Sequence, residues 1–146
     1  MKVVNYKAFR IVKDINISKG DVLSSRLPHK ISMEDLLEMQ RIDHFSHLPS
    51  RKQAIFVFPS IEYLESWLAY LFKESGNYYL LELNLNGDIE WFNADLILPN
   101  MTEEDANRYW TGRIFDINLI DTDILPEGLF IGKATVENVE FREYKR

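Results

Sequence analysis

Apolar and polar positions along this chain change period several times, and each change marks an element. Residues 5–13 alternate as a strand does, with Phe9 and Ile11 on one face and Tyr6, Ala8, Arg10 and Val12 on the other. Residues 16–30 keep no period, and Gly20 and Pro28 punctuate them as loop. At Ser32 the period lengthens. Ser32 and Asp35 form a capping-box pattern, and Met33, Leu36 and Leu37 mark one face of a helix that ends near Asp43. Gln53–Phe58 is apolar after its first residue, as in a strand covered on both faces, and Pro59 stops it.

Ser60 then suits an N-cap. Ile61, Leu64, Leu68 and Leu71 share one helical face that Tyr63, Trp67 and Tyr70 widen, so this helix is expected to be largely buried and to close at Gly76. Tyr78–Leu85 alternates with Tyr79, Leu81, Leu83 and Leu85 inward. Asn86-Gly87 predicts a hairpin after it; pairing Leu85 with Ile89 and Leu83 with Trp91 requires a three-residue connection. Thr102 and Asp105 make a second capping box, ahead of a short helix with Ala106, Tyr109 and Trp110 on one face and Gly112 at its end. Phe115, Ile117 and Leu119 alternate as a strand. A polar loop, DTDILPEG, leads to GLFIG and a last extended segment ending near Phe141. The sum is about six strands and three helices in a single domain, residues 1–146: an α+β fold with a mixed or antiparallel sheet.

Composition narrows the classes of function. With 46% hydrophobic and 27% charged residues, the chain has the make-up of a globular domain able to bury a core. It has no cysteine, which excludes disulfides, thiol catalysis and zinc–thiolate sites. The N-terminus lacks the apolar region of a signal peptide, and no run approaches the roughly 18 residues of a membrane span. The expectation is a cytoplasmic protein without a membrane segment.

The net charge of −6 divides unevenly: residues 1–60 hold ten Lys or Arg against six Asp or Glu, residues 61–146 seven against seventeen. Overall acidity argues against nonspecific nucleic-acid binding, which rests on phosphate neutralisation. The basic first part suits a small anion such as a pyrophosphate, or is a solvated face.

Candidate chemistry is sparse. His44 and His47 stand three apart with neither HExxH nor a facial triad around them, so no metal is expected even with Asp43, Asp121 and Asp123 to recruit. Asp121-Thr122-Asp123 lacks the offsets of a calcium loop. No nucleophile elbow, phosphate loop or dinucleotide fingerprint occurs, and Ser24, Ser25 and Ser46 have no identifiable acid–base partners. Arg10 is notable because a charge in a strand is costly unless paired or exposed. Its guanidinium either forks onto a phosphate or ribose edge, or lies over a solvated face. Glu127, between Pro126 and Gly128, is either an ordinary turn residue or a carboxylate for a sugar hydroxyl and an oxocarbenium-like transition state.

Phe9-Arg10 in the first strand, PSRKQAIFVFPS with its aromatic helix, ANRYWTG and PEGLFIGKATVENVE cover most of the chain. In that order the chain resembles a diverged member of the ADP-ribosyltransferase superfamily, similar to small uncharacterised bacterial domains of that fold. The resemblance implies a two-sheet core and NAD as co-substrate. Arg10 would then hold the NAD ribose. Ser60, Phe56 or Tyr63 would seat the nicotinamide half, and Arg51 would meet a phosphate. Glu127 would be the catalytic carboxylate that binds the ribose 2′-hydroxyl and supports departure of nicotinamide. The chain departs from the family in lacking a Ser-Thr-Ser triplet and in carrying Leu125 two residues before Glu127, where the family has Glu or Gln.

The function expected is therefore NAD binding, as a transferase or a glycohydrolase, with a small nucleotide ligand. The alternative is a non-catalytic interaction or regulatory protein, or a nucleotide-signal binder, on the same fold. Three Trp, seven Tyr and nine Phe serve a core and a protein-partner surface equally.

Overall fold

Two long strands carry the fold. β4 (Gly76–Asn93) and β5 (Pro126–Tyr144) pair antiparallel from Gly76↔Tyr144 to Asn93↔Pro126, with one register shift at Glu82/Leu83. The computed structural model describes residues 1–14, 16–24, 32–119 and 123–146. Within them, β1 (Lys2–Val12) lines the far side of β4, from Lys2↔Asp88 to Val12↔Tyr79. The outer edge of β5 takes β2 (Val22–Leu23) at Ala134 and Thr135, and β3 (Ile55–Val57) at Gly128 to Phe130. Directly after β3, Phe58 returns to β1: its N–H donates to the Phe9 carbonyl at 2.8 Å, and its carbonyl accepts from Phe9 N–H at 2.9 Å. The sheet thus curls until its two ends meet.

Curling needs a bend in the long strands, and Gly87 opposite Gly132 supplies it. Both have positive φ, +157° and +144°, and a Cβ on either would lie 2.3 Å from the Ile131 carbonyl or 2.5 Å from that of Asn86. The expected hairpin at Asn86-Gly87 is therefore absent; the strand passes straight through. Asn86 instead serves β1, accepting from Asn5 N–H at 3.0 Å where that strand bulges. Leu81, Leu83 and Leu85 are buried inside the curl as expected, but Tyr79 is only half-buried against Phe141, and Tyr78 and Leu80 on the other face are buried beneath the Leu64–Leu71 helix.

The result is α+β, with one antiparallel sheet of five strands among the described residues where two sheets and six strands were expected. The Phe115–Leu119 segment makes no strand. Only Ile114 bridges Trp91, and Ile117–Leu119 form a short 3₁₀ turn. Three helices complete the described fold: α1 (Ser32–His44), α2 (Leu64–Leu71) and α3 (Glu103–Thr111). The Thr102–Asp105 capping box and the Gly112 C-cap of α3 form as the sequence predicts. Gly76 begins β4 rather than closing α2, because Phe72 already turns extended.

Apolar side chains gather in three places. Inside the curl lie Leu81, Leu83, Leu85, Trp91 and Phe130; under α1 and α3 lie Leu37, Phe92, Tyr109 and Leu129. Beneath α2 lie Phe58, Leu64, Leu68 and Tyr78. α2 is less buried than its sequence suggests: Ile61 before it, and Tyr70 and Leu71 within it, are exposed, because only one stripe of a helix can face a sheet.

Candidate functional site

The α1–α3 side of the sheet holds an unusual concentration of buried charge. Glu34 and Glu38 are four apart in α1 and share one helical face. The loop after α1 docks on that face residue by residue. Ser50 Oγ donates to Glu38 Oε2, Arg41 holds the same carboxylate through Nε at 2.9 Å, and Arg41 Nη1 ties down the Leu48 carbonyl at 3.1 Å. The next loop residue, Arg51, is thereby set over the next carboxylate. Its Nε and Nη2 grip Glu34 at 2.8 and 2.9 Å in a two-pronged pair.

Nη1 of Arg51 reaches the other way, to Glu127 Oε2 at 2.6 Å and the Tyr109 hydroxyl at 2.7 Å. That hydroxyl donates in turn to Glu127 Oε2 at 2.8 Å. α3 supplies Tyr109, whose ring stacks on Phe92 at 5.0 Å. The guanidinium lies 4.8 Å from the Phe56 ring centre and 5.3 Å from that of Tyr109. Both hydrogen bonds to Glu127 end on Oε2; Oε1 receives none among the described residues.

Glu34, Arg51 and Glu127 are each only 6% exposed. Such charges stay buried only if they compensate one another. Burial alone would lower the Arg51 pKa, but Glu127, Tyr109 and Glu34 outweigh it and hold it well above the ordinary arginine value. Burial pushes the Tyr109 hydroxyl well above the usual tyrosine range, and Glu127 adds to that rise. Tyr109 therefore acts as a neutral donor. With both carboxylates ionised the cluster carries one net negative charge.

Glu127 stands within β5 rather than in a turn. Gly128 is required there because a Cβ would lie 2.7 Å from the Trp91 ring and 2.9 Å from Val57. Close to the backbone of Glu127, Trp67 Nε1 donates to the Pro126 carbonyl at 3.1 Å. Tyr70 meets the Trp67 ring edge-on at 5.7 Å and is 53% exposed. Its hydroxyl is raised chiefly by burial and secondly by the charge of Glu127. An aromatic edge thus runs from the Pro126 backbone, next to Glu127, to the surface.

The six residues singled out in the sequence divide. Arg51, Phe56 and Glu127 meet in one network. Arg10 shares a strand face with Ala8 and Val12 inside the curl, whereas Glu127 shares one with Leu129 beneath α1 and α3. Arg10 reaches toward the site through the Phe56 carbonyl, at 2.9 Å from Nη1. Ser60 Oγ accepts from Glu62 N–H at 3.2 Å as the cap of the 3₁₀ turn before α2, and Tyr63 is buried in the α2 cluster.

Sequence reasoning missed Glu34 as a site residue and took Tyr109 as plain core. The one available signal was a carboxylate three residues before Leu37, on the helical face that Leu37 marks as buried. Among the described residues no three His, Asp or Glu side chains gather as metal ligands. Pro28, His29, Ser25, Asp121 and Thr122 lie outside the described residues. Two open grooves, of about 280 Å³ beside Asp21 and 530 Å³ beside Lys13 and Phe72, are lined by residues other than these. No described helix is long and apolar enough to cross a membrane.

No curated protein matches the chain. The family model described as a protein of unknown function, DUF2441, matches residues 4–140, nearly the whole chain, and the chain belongs to that family.

Proposed function

We propose that this chain binds a nucleotide of the NAD class at the Glu127–Arg51 site and holds it without efficient cleavage. The observation that carries this reading is the contact among Arg51, Phe56 and Glu127, residues that the ADP-ribosyltransferase resemblance selects from two separate segments, PSRKQAIFVFPS and PEGLFIGKATVENVE. Glu127 Oε1 is the acceptor offered to ribose hydroxyls, and the Trp67–Tyr70 edge offers ring faces to a nicotinamide or adenine. Arg51 would take the cationic role that the resemblance gives to Arg10, which lies on the other face of the sheet.

Binding is favoured over turnover for an electrostatic reason. A carboxylate accelerates nicotinamide departure by facing a developing positive charge in a site organised for it. Here Arg51 already neutralises that carboxylate at 2.6 Å. Release of Arg51 would have to precede catalysis and would leave buried charge uncompensated.

The experiment is a melting series with NAD, beside chromatographic detection of nicotinamide, on the wild type, Tyr70→Ala and Glu127→Gln. A rise in melting temperature that grows with the logarithm of NAD concentration is expected, equivalent to about 2.7 kcal/mol of added stability at a hundredfold excess over Kd, with little nicotinamide formed. Tyr70→Ala, at an exposed position, should weaken the response while leaving the unliganded melt close to wild type. No NAD-dependent shift in the wild type would refute the proposal. Nicotinamide release abolished by Glu127→Gln would replace it with the transferase or glycohydrolase reading.

A second reading, a non-catalytic interaction domain, draws on the 6% exposure of Glu127, which fits a carboxylate that ties α3 and the Arg51 loop to β5. A flat NAD response would favour it.

A further inference from the structure

The two edges of β5 are used unequally. One pairs with β4 along the whole strand. The other is covered by β3 and then β2, and its cover ends at Val136, which exchanges hydrogen bonds with the Gly20 N–H and the Asp21 carbonyl, each 2.8 Å. Beyond that point, residues 137–144 have no second partner strand among the described residues, and their side chains are exposed or half-buried. An open strand edge is a template for another strand. Proteins commonly guard such edges with charge, and this one carries Glu137, Glu140, Arg142 and Glu143.

The order of those charges is self-complementary. Laid antiparallel against a second copy about Phe141, Glu140 faces Arg142 of the second copy and Arg142 faces its Glu140. Asn138 and Tyr144 meet on one face, and Phe141 meets its own counterpart on the other. Neighbouring registers fail on charge: centred on residue 140, Glu140 faces itself; centred on residue 142, Arg142 faces itself. Like charges directly opposite one another destabilise a strand pair, and opposite charges support it. Phe141 is 59% exposed and already packs on Tyr79 at 5.3 Å, so the same register would continue that pair into a row of four rings.

We infer that the open edge of β5 beyond its bulge at Glu137, residues 138–144, pairs with the same edge of a second copy of this chain, about a two-fold axis at Phe141. The contact is small, which sets it at the weak end of specific interfaces. It joins the β1–β4–β5 strands of two copies into one continuous sheet. It lies toward the opposite end of β5 from Glu127 and does not depend on the nucleotide reading.

Sedimentation velocity over a concentration series tests it. The wild type should show a reversible monomer–dimer equilibrium. Arg142→Glu, which puts like charges opposite each other twice, should raise the dissociation constant about tenfold. Glu140→Arg should do the same. A mixture of the two variants should recover association that neither shows alone. The chain has no native cysteine, so F141C should form a cross-linked dimer under mild oxidation, and that cross-link should be suppressed by adding R142E in the same chain. A wild type monomeric at every concentration would overturn the inference. So would a dimer unaffected by both charge variants, or a mixture no more associated than its parts.

Discussion

Replacing Arg51 with Met should be among the most damaging single changes in this protein. Methionine keeps an unbranched stem over Phe56 but removes the one positive charge among two buried carboxylates. The residue is 6% exposed and its side chain grips three partners: two prongs hold Glu34, and Nη1 bonds both Glu127 and Tyr109. Surface ion pairs contribute about 0–1 kcal/mol, whereas breaking a buried pair by removing one partner costs about 3–5 kcal/mol. Burial places this cluster in the second class. For a domain of this size, about 2–4 °C of melting temperature accompanies each kcal/mol, so the expected fall is roughly 6–20 °C. The measurement is urea or thermal unfolding followed by circular dichroism, with Glu127→Gln and the double variant completing a cycle. Because Glu127→Gln removes one of the charges that Arg51→Met strands, the double variant should be more stable than the two single losses predict, by about 1–3 kcal/mol. A loss below about 1 kcal/mol for Arg51→Met would show that water reaches the cluster and that the buried-charge reasoning is wrong.

Gly132→Ala should destabilise by at least about 1–3 kcal/mol from its positive φ alone, with more from the Cβ that would stand 2.5 Å from the Asn86 carbonyl; denaturant unfolding measures it, and a neutral result would mean the long strands bend elsewhere. Thr102→Ala should cost about 1 kcal/mol through loss of the α3 cap, read from the same unfolding curves. Asp105 is held below the usual carboxylate range by the Thr102 N–H first and its hydroxyl second. A depressed folded pKa gives stability that is present above the unfolded value of about 4 and lost as pH falls through the folded one. Asp105→Asn should therefore flatten the acid side of a melting-temperature profile and leave its slope near neutral pH unchanged.

Much of the local structure was legible from the chain. Ser60 caps the turn before α2, Thr102 and Asp105 box the start of α3, and Leu81, Leu83 and Leu85 point inward because each signal is satisfied within a few residues. Asn86-Gly87 misled because its meaning is not local. The same dipeptide that suits a hairpin also suits a strand crossing close to another backbone, and Gly132, far along the chain, decides between them. Phe115–Leu119 alternates like a strand, yet only Ile114 finds a pairing partner, at Trp91. Alternation predicts faces; it supplies no neighbour for the ladder.

The site divides in the same way. Sequence and resemblance marked Arg51, Phe56 and Glu127, but not that Arg51 would spend its charge on Glu127 itself. Nor did they show that Glu34 would take the other prong or that Tyr109 would bridge the two. Those facts depend on α1, the loop after it, α3 and β5 converging from separate parts of the chain, and on burial that makes each charge require the others. Arg10 reads as a partner of Glu127 in one dimension and lies on the opposite face of the curled sheet in three. By itself the sequence determined periods, caps and an α+β composition, which are short-range balances of sterics and hydrogen bonding. Only the tertiary structure decided the curl of the sheet, the strand edge left open and the pairing of buried charges, because each requires groups distant in the chain to share one place.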